Sequence, residues 1–541
     1  MTDQLESINP ATEEVLARFP AATPDEIETA IAEADAAQRA WRRTSFDERA
    51  VAMRRLAAQL RHRRDDYALL ITLEMGKPIA EALAEIEKCA LTCGFYADRA
   101  ADFLGDEVVA TTASRSLVAY EPLGVVLAIM PWNYPFWQVL RFAAPALMAG
   151  NGALLKHASN VPQCALAIGS AFEEAGFPRG LFRTLLLQGG AVEPVIRDRR
   201  VRAVTLTGSS DVGARVAAVA GSALKKTVLE LGGLDPFIVL ADADVAAAAA
   251  TAVRARNQNS GQSCIAAKRF LVAEAVADEF EERFAQAVAS LRVGDPLDPA
   301  TQVGPLARAD LRETLERQVD ASVREGARVL VGGHRRAGPG YFYEPTVLVG
   351  VRDGMAALAE EMFGPVAAVR RVADGEDAVS IANGPDYGLG ASIWTCDVAS
   401  GEEMARTIES GAVFVNGMVA SDPRLPFGGV KRSGGANSAR SESANSRTSR
   451  RSGSDPRWPP RAGRPSNAGD SIWRRSTVRG YPSLARPSPQ RAIGCQVVRE
   501  GSAGGGTRCK GVTPARLGEP WGTRTRSGSP PTWSMVEHRP A

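Results

Sequence analysis

The stretch GVVLAIMPWNYPFWQVLRFAAPALMAGNGALLK, Gly124 to Lys156, decides the architecture. Its first seven residues form an apolar run that stops at Pro131, short and Val/Ile-rich like a buried strand. PFWQVLRFAAPALMAG then reads as a helix, and GALLK (152–156) as a second short strand. The same scheme continues outward. A helical segment runs from about Val161 to Ala175, followed by LFRTLLLQ (181–188), AVTLTG (203–208) and KKTVLEL (225–231). A second series begins with PFIVL (236–240) and KRFLVAE (268–274), and an Ala/Glu/Arg-rich helical stretch precedes everything at about 24–104. Buried strands alternating with helices predict an α/β protein with parallel sheets covered on both faces. Two such units are expected, meeting near Glu230. No internal repeat is visible, and the G-x-G-x-x-G fingerprint of ordinary dinucleotide folds is absent.

The chain has 541 residues, 45% apolar and 23% charged, enough to bury more than one core. No apolar run approaches the roughly 18–20 residues that span a bilayer. The acidic start lacks the basic-then-apolar order of a signal peptide, and seven cysteines fit no CxxC or zinc spacing. Thiols in a reducing cytoplasm are the simplest expectation. Neither metal nor membrane is expected. The near-neutral total, 64 basic against 62 acidic residues, hides a division after Gly434. Residues 435–541 carry 19 Lys+Arg and 6 Asp+Glu, with no Phe and only 9 Leu, Ile and Val. Such a segment is expected to be disordered, because it cannot bury enough surface to offset its ordering entropy.

Four patches carry unusual chemistry. PWNYP (131–135) joins a strand to a helix and could turn the Asn133 amide towards a ligand oxygen. TGSSDVG (207–213) is a strand–Gly–Ser–helix junction of the kind that binds phosphate, though many are plain N-caps. ELGGLDP (230–236) puts a carboxylate before two glycines that allow close backbone approach. GQSC (261–264) places a cysteine in a polar loop, unlike Cys89, Cys93, Cys164 and Cys396 in apolar or helical contexts.

Taken together, PWN, LKHAS, TGS, ELGG, GQSC and EEMFGPV occur in the order and at the spacings of the NAD(P)-dependent aldehyde dehydrogenases, which the chain resembles from INPAT (8–12) to LPFGGVKRSG (425–434). LKHASNVPQCA and NQNSGQSCIAAKRF look most like the bacterial succinate-semialdehyde members. The resemblance implies a cofactor-binding domain (1–106 and 124–229), a catalytic domain (230–412), bridging and oligomerisation segments (107–123 and 413–434), and a homodimer or homotetramer. It implies Cys264 as nucleophile forming a thioester, Glu230 as base and Asn133 as oxyanion donor with the Cys264 backbone N–H. A thiolate can add to a carbonyl and leave again, which a hydroxyl does poorly near neutrality. Trp132 and Asn133 would border the cofactor channel. Gly208 and Ser209 would approach the pyrophosphate, Leu231 and Phe363 would lie near the nicotinamide, and Glu361 would bond its ribose. Lys156, with His157, Ala158 and Ser159, would meet the adenosine ribose. NAD-preferring members often carry a glutamate where Ser159 stands, so NADP is expected to be preferred, with NAD also accepted.

Arg141 stands where semialdehyde-oxidising members place an arginine for the distal carboxylate; a structural ion pair is the alternative. A second arginine that some members carry six residues before the nucleophile is replaced by Gln258, so the grip would rest on Arg141 with polar help from Gln258. After KRSGG the family's closing helix and interface strand give way to GANSARSESANSRTSRR, without a trace of that strand. A reading-frame shift near Gly435 would account for this, and the coding DNA in its other two frames decides it. Such an ending would leave a β edge unpaired and could yield an impaired protein, the main alternative function. Nucleic-acid binding by the basic tail is not expected, because no aromatic or repeat spacing supports it.

Overall fold

A computed structural model describes residues 4–434, 437–438, 447–454 and 494–497. Four helices, Pro24–Trp41, Phe46–His62, Arg64–Met75 and Ile79–Leu104, make up the Ala/Glu/Arg-rich stretch. The first two start at capping boxes, Thr23 with Glu26 and Ser45 with Glu48. In each, the two side chains satisfy backbone donors that a helix start leaves unpaired.

The deciding stretch folds as strand Val125–Met130, helix Pro135–Met148 and strand Gly152–His157. The strands pair in parallel, from Val125 opposite Gly152 to Met130 opposite His157. They lie within a five-stranded parallel sheet ordered Phe182–Thr184, Gly152–His157, Val125–Met130, Val201–Thr207, Lys226–Glu230. All six residues of Val125–Met130 are buried. Leu127 joins Leu154, Val195 and Val204 in one core, whereas Ala128 and Met130 join Leu140, Ala143 and Phe172 in another. Burial on both faces explains a strand without polar alternation. LFRTLLLQ is strand only over Phe182–Thr184; Leu185 and Leu187 lie buried beyond it. That apolar run marked burial rather than strand length.

The chain leaves the first sheet at Glu230 and enters the second at Pro236. The second sheet runs Arg328–Val331, Thr346–Val349, Val366–Val372, Arg269–Ala273, Pro236–Val239, Gly390–Trp394, Ala412–Val415, Gly494–Val497, parallel except for its first pair. A third sheet is antiparallel and joins Glu107–Val108, Arg115–Pro122 and Arg447–Ser454. Within the tail expected to be mostly disordered, three short stretches are paired. Asn437–Ser438, Arg447–Ser454 and Gly494–Val497 are strands, and the Arg115–Pro122 edge is paired along its whole length. Backbone N–H and C=O groups pair whatever the side chains, so a Ser/Arg-rich stretch does not forbid a ladder. The rest of the expected disordered tail lies outside the described residues.

Cys89, Cys93 and Cys164 are fully buried free thiols and Cys264 is free and partly exposed, but Cys396 is disulfide-bonded, against the expectation of thiols throughout. Among the described residues no helix is long and apolar enough to cross a membrane, and no group of His, Cys, Asp and Glu could hold a metal.

Candidate active site

The helix Val245–Asn257 ends in a turn, Gln258–Gly261, in which Asn259 and Ser260 take left-handed φ of 55° and 54°. Non-glycine residues adopt that region at a cost and persist there when their surroundings hold them. Here the holds are visible. Glu81 accepts from the Asn259 N–H at 2.6 Å, and Ser260 Oγ accepts from the Gly304 N–H at 2.9 Å. Gly261, at φ 75°, passes so near the Gly364 carbonyl that a Cβ would sit 2.2 Å from its oxygen. Three residues on, this loop presents Cys264.

The PWN turn is laced to the same loop. Asn133 Nδ2 donates to the Gln262 carbonyl at 3.0 Å, and Asn259 Nδ2 donates to the Asn133 carbonyl at 2.8 Å. One amide hydrogen of Asn133 is thus committed, and a primary amide has a second to offer a substrate oxygen. Behind the nucleophile, the fully buried Lys268 ammonium donates to the carbonyls of Ser263, Cys264 and Ala266 at 3.1, 2.7 and 3.1 Å. It also pairs with Glu361 at 3.4 Å. Neither Lys268 nor Glu81 stood out in the sequence, because charged residues beside apolar runs are commonplace.

Burial pushes the Cys264 thiol up to about 12, against a smaller opposing pull from Lys268. The resting sulfur is therefore a protonated thiol that needs a base to become a nucleophile. Glu230, 5% exposed at the end of its strand, pairs through Oε1 with Arg141 Nη2 at 3.2 Å. The double glycine serves close approach as expected: a Cβ on Gly233 would meet the Cys264 carbonyl oxygen at 3.1 Å, and one on Gly232 the Glu361 carboxylate at 2.5 Å. ELGG, GQSC and EEMFGPV thus converge.

Cys264, Arg141 and Gln258 line one cavity of about 590 Å³, together with Tyr134, Trp137 and Phe427. The Arg141 guanidinium stacks over the Phe427 ring at 4.6 Å. The structural ion pair weighed as its alternative role does exist, and its partner is Glu230. Gln258 Nε2 is buried without a hydrogen-bond acceptor, a donor left facing the cost of desolvation unless a ligand accepts from it.

Most of the residues expected to hold a dinucleotide stand at the C-terminal ends of the first sheet's strands, while Glu361 and Phe363 come from the loop before the second-sheet strand Val366–Val372. Ser209 caps the helix Ser210–Ser222, accepting from the Val212 N–H, so TGSS is a plain cap and a positive helix end at once. Gly213 lies against Leu231, where a Cβ would come within 2.5 Å. Trp132 and Phe363 meet edge to face at 5.8 Å, and the Glu361 side chain is partly exposed. Lys156 is half-buried, with no hydrogen-bond acceptor or ion-pair partner among the described residues; burial lowers its pKa. Ser159 is exposed and Ala158 half-buried. His157 is buried. Its Nδ1 accepts from the Ala158 N–H at 2.9 Å and Nε2 lies 3.0 Å from the Pro135 carbonyl, so a neutral ring fastens this strand end to the PWNYP turn. A free ammonium, a capped helix start and a partly exposed carboxylate held by Lys268 fit a phosphorylated dinucleotide.

The model described as the aldehyde dehydrogenase family matches residues 1–452. A Synechocystis sp. protein named probable succinate-semialdehyde dehydrogenase (NADP+) is 52% identical over 428 residues, which are 79% of this chain and 94% of that one. Succinate-semialdehyde dehydrogenase (NADP+) 1 of Mycobacterium tuberculosis is 51% identical over 431 residues, with the same coverage. A crystal structure of succinic semialdehyde dehydrogenase from Streptococcus pyogenes with NADP+ superposes with a TM-score of 0.81 at 35% identity, covering 83% of this chain and 99% of that one.

Proposed function

This chain belongs to the aldehyde dehydrogenase family, and from that footing we propose that it oxidises succinate semialdehyde to succinate with NADP+. The observation that carries the substrate is Arg141, a guanidinium 9% exposed in the wall of the cavity that holds Cys264. A buried guanidinium is costly unless anions meet it; Glu230 meets it through one contact at 3.2 Å, and a substrate carboxylate entering the same cavity would meet it from the cavity side. The unsatisfied Gln258 donor in the wall of the same cavity supports the same carboxylate, and the names of the relatives at 51–52% identity point the same way.

The chain's own groups perform the steps as follows. Glu230 takes the proton as Cys264 Sγ adds to the aldehyde carbon. The second N–H of Asn133 and the Cys264 backbone N–H receive the oxyanion, and one such donor is typically worth ~3–4 kcal/mol. Bound NADP+ supplies a hydride acceptor at the nicotinamide. Collapse leaves an acyl thioester on Cys264. Glu230 releases that proton to solvent and then deprotonates a water, which attacks the thioester carbon, and the thiolate leaves as the carboxylate forms. The Arg141–Glu230 ion pair holds the base in place until a substrate carboxylate competes for the guanidinium.

Lys156 would bind the 2′-phosphate, with no carboxylate at Ser159 to repel it. The domain division expected from the resemblance, a homodimer or homotetramer, and a cytoplasmic site of action belong to the same reading. Nothing in the assembled site favours the impaired alternative. NADPH formation by the purified full-length protein, measured over succinate semialdehyde, butanal and related aldehydes, tests the proposal. Succinate semialdehyde should lead in kcat/KM, and NADP+ should exceed NAD+. Comparable kcat/KM for the two dinucleotides overturns the cofactor preference.

A further inference from the structure

We propose that Lys88 is a second cation for the distal carboxylate of the substrate, completing with Arg141 and Gln258 a three-donor anion site in the wall of the cavity that holds Cys264. The inference deepens the substrate reading above and rests on it.

Lys88 lies on the helix Ile79–Leu104 and lines the same cavity as Cys264 and Arg141. Its ammonium sits 4.0 Å from the centroid of the Trp137 ring, one turn before Arg141 on the helix Pro135–Met148. Among the described residues it has neither a hydrogen-bond acceptor nor an ion-pair partner. A lysine stem commonly runs over apolar surface to put its charge in water; this one ends over an indole inside a cavity wall. Burial lowers its pKa to about 8, and the Arg141 charge adds to that effect. Two cations share one region; Glu230 is paired with Arg141, and an incoming anion would relieve Lys88.

The carboxylates nearby are already committed. Glu85 accepts through Oε1 from the Phe136 and Trp137 N–H groups, both at 2.9 Å, and its Oε2 is held by Lys77. Glu81 is engaged by Asn259, and burial raises its pKa to about 7. Asp422 is clamped by Arg424 through both oxygens, at 2.8 and 2.6 Å. What the cavity offers a ligand is the Lys88 ammonium, a guanidinium shared with Glu230 and an orphaned amide donor, which suits a carboxylate three or four bonds from an aldehyde.

The test is the ratio of kcat/KM for succinate semialdehyde to that for butanal, in the full chain with NADP+. Lys88→Met should lower the ratio about tenfold or more, through KM for the semialdehyde rather than kcat. Lys88→Gln is a second neutral variant should the first fail to fold, and Lys88→Arg should retain most of the wild-type ratio. A high wild-type ratio that both neutral variants leave in place, or a loss in Lys88→Arg equal to that in Lys88→Met, overturns this inference alone. A wild-type ratio near one overturns the substrate reading and this inference with it.

Discussion

At the scale of single residues, the chemistry depends on how the fold treats Cys264. Desolvation holds its sulfur as a thiol with a pKa near 12. Below that value the thiolate fraction rises about tenfold per pH unit. Alkylation of Cys264 by iodoacetamide in the cofactor-free protein should therefore keep climbing from pH 7 to pH 10; peptide mass spectrometry reads the rate. A plateau near pH 8.5 would show an ordinary thiol instead. Arg141 has two claims on it, the Glu230 carboxylate at 3.2 Å and, in the proposed reaction, the substrate. Arg141→Ala should raise KM for succinate semialdehyde about tenfold or more beyond any rise for butanal. It should also lower kcat for both aldehydes, because the base loses its anchor; steady-state kinetics on the two substrates separate these effects. Equal KM effects would leave Arg141 a purely structural partner of Glu230.

At the scale of elements, the site is a meeting of strand ends and one strained turn. The turn Gln258–Gly261 is maintained by contacts from chain segments far away, among them Glu81 and Gly304. Gly261→Ala places a methyl group against the Gly364 carbonyl at a left-handed φ, and neither partner is a side chain that can swing away. Backbone incompatibility of this kind costs more than the ordinary ~1 kcal/mol of a Gly–Ala exchange. The variant should lose at least about a hundredfold in kcat and melt several degrees lower; turnover and thermal denaturation measure the two effects. A variant with wild-type turnover would mean that the loop does not need this conformation. His157 illustrates a different role for an element end. Its neutral ring, with a pKa lowered to about 4 chiefly by burial, ties the strand Gly152–His157 to the PWNYP turn. The unfolded chain binds the proton first. The stability His157 contributes is whole above about pH 6.5, and it is lost as pH falls from there towards 4. The fall in melting temperature over that interval should shrink in His157→Asn, as read by calorimetry at several pH values.

At the scale of the whole molecule, three sheets divide the work. The first carries the strand ends proposed to face the dinucleotide, the second is entered by the strand that follows the Cys264 loop, and the third joins Arg115–Pro122 to the late strand Arg447–Ser454. Removing residues 447–541 would expose the Arg115–Pro122 edge, a template for pairing with other chains. The truncated protein should show an altered assembly or aggregate in sedimentation velocity, while residues of the catalytic site remain in the chain. An unchanged sedimentation coefficient per subunit content and an unchanged melting temperature would show that the late strand contributes nothing to assembly or stability.

Much of this was legible in order along the chain. Parallel strands buried on both faces must be continuous apolar runs, so GVVLAIM and GALLK reveal the sheet without any partner in view. PWN, TGS, ELGG and GQSC are local solutions to backbone demands, a turn, a cap, a close approach and an exposed nucleophile, and short-range demands leave short-range text. The contacts of Arg141 with Glu230, of Lys268 with Glu361, and of Lys88 with Trp137 left none. Each joins residues from different elements, where a side chain's role depends on which charge, ring or carbonyl the packing brings within a few ångströms. Electrostatic interaction inside a desolvated cavity falls off with distance in space and is blind to separation along the chain. Only folding could assign those lysines and that arginine their partners.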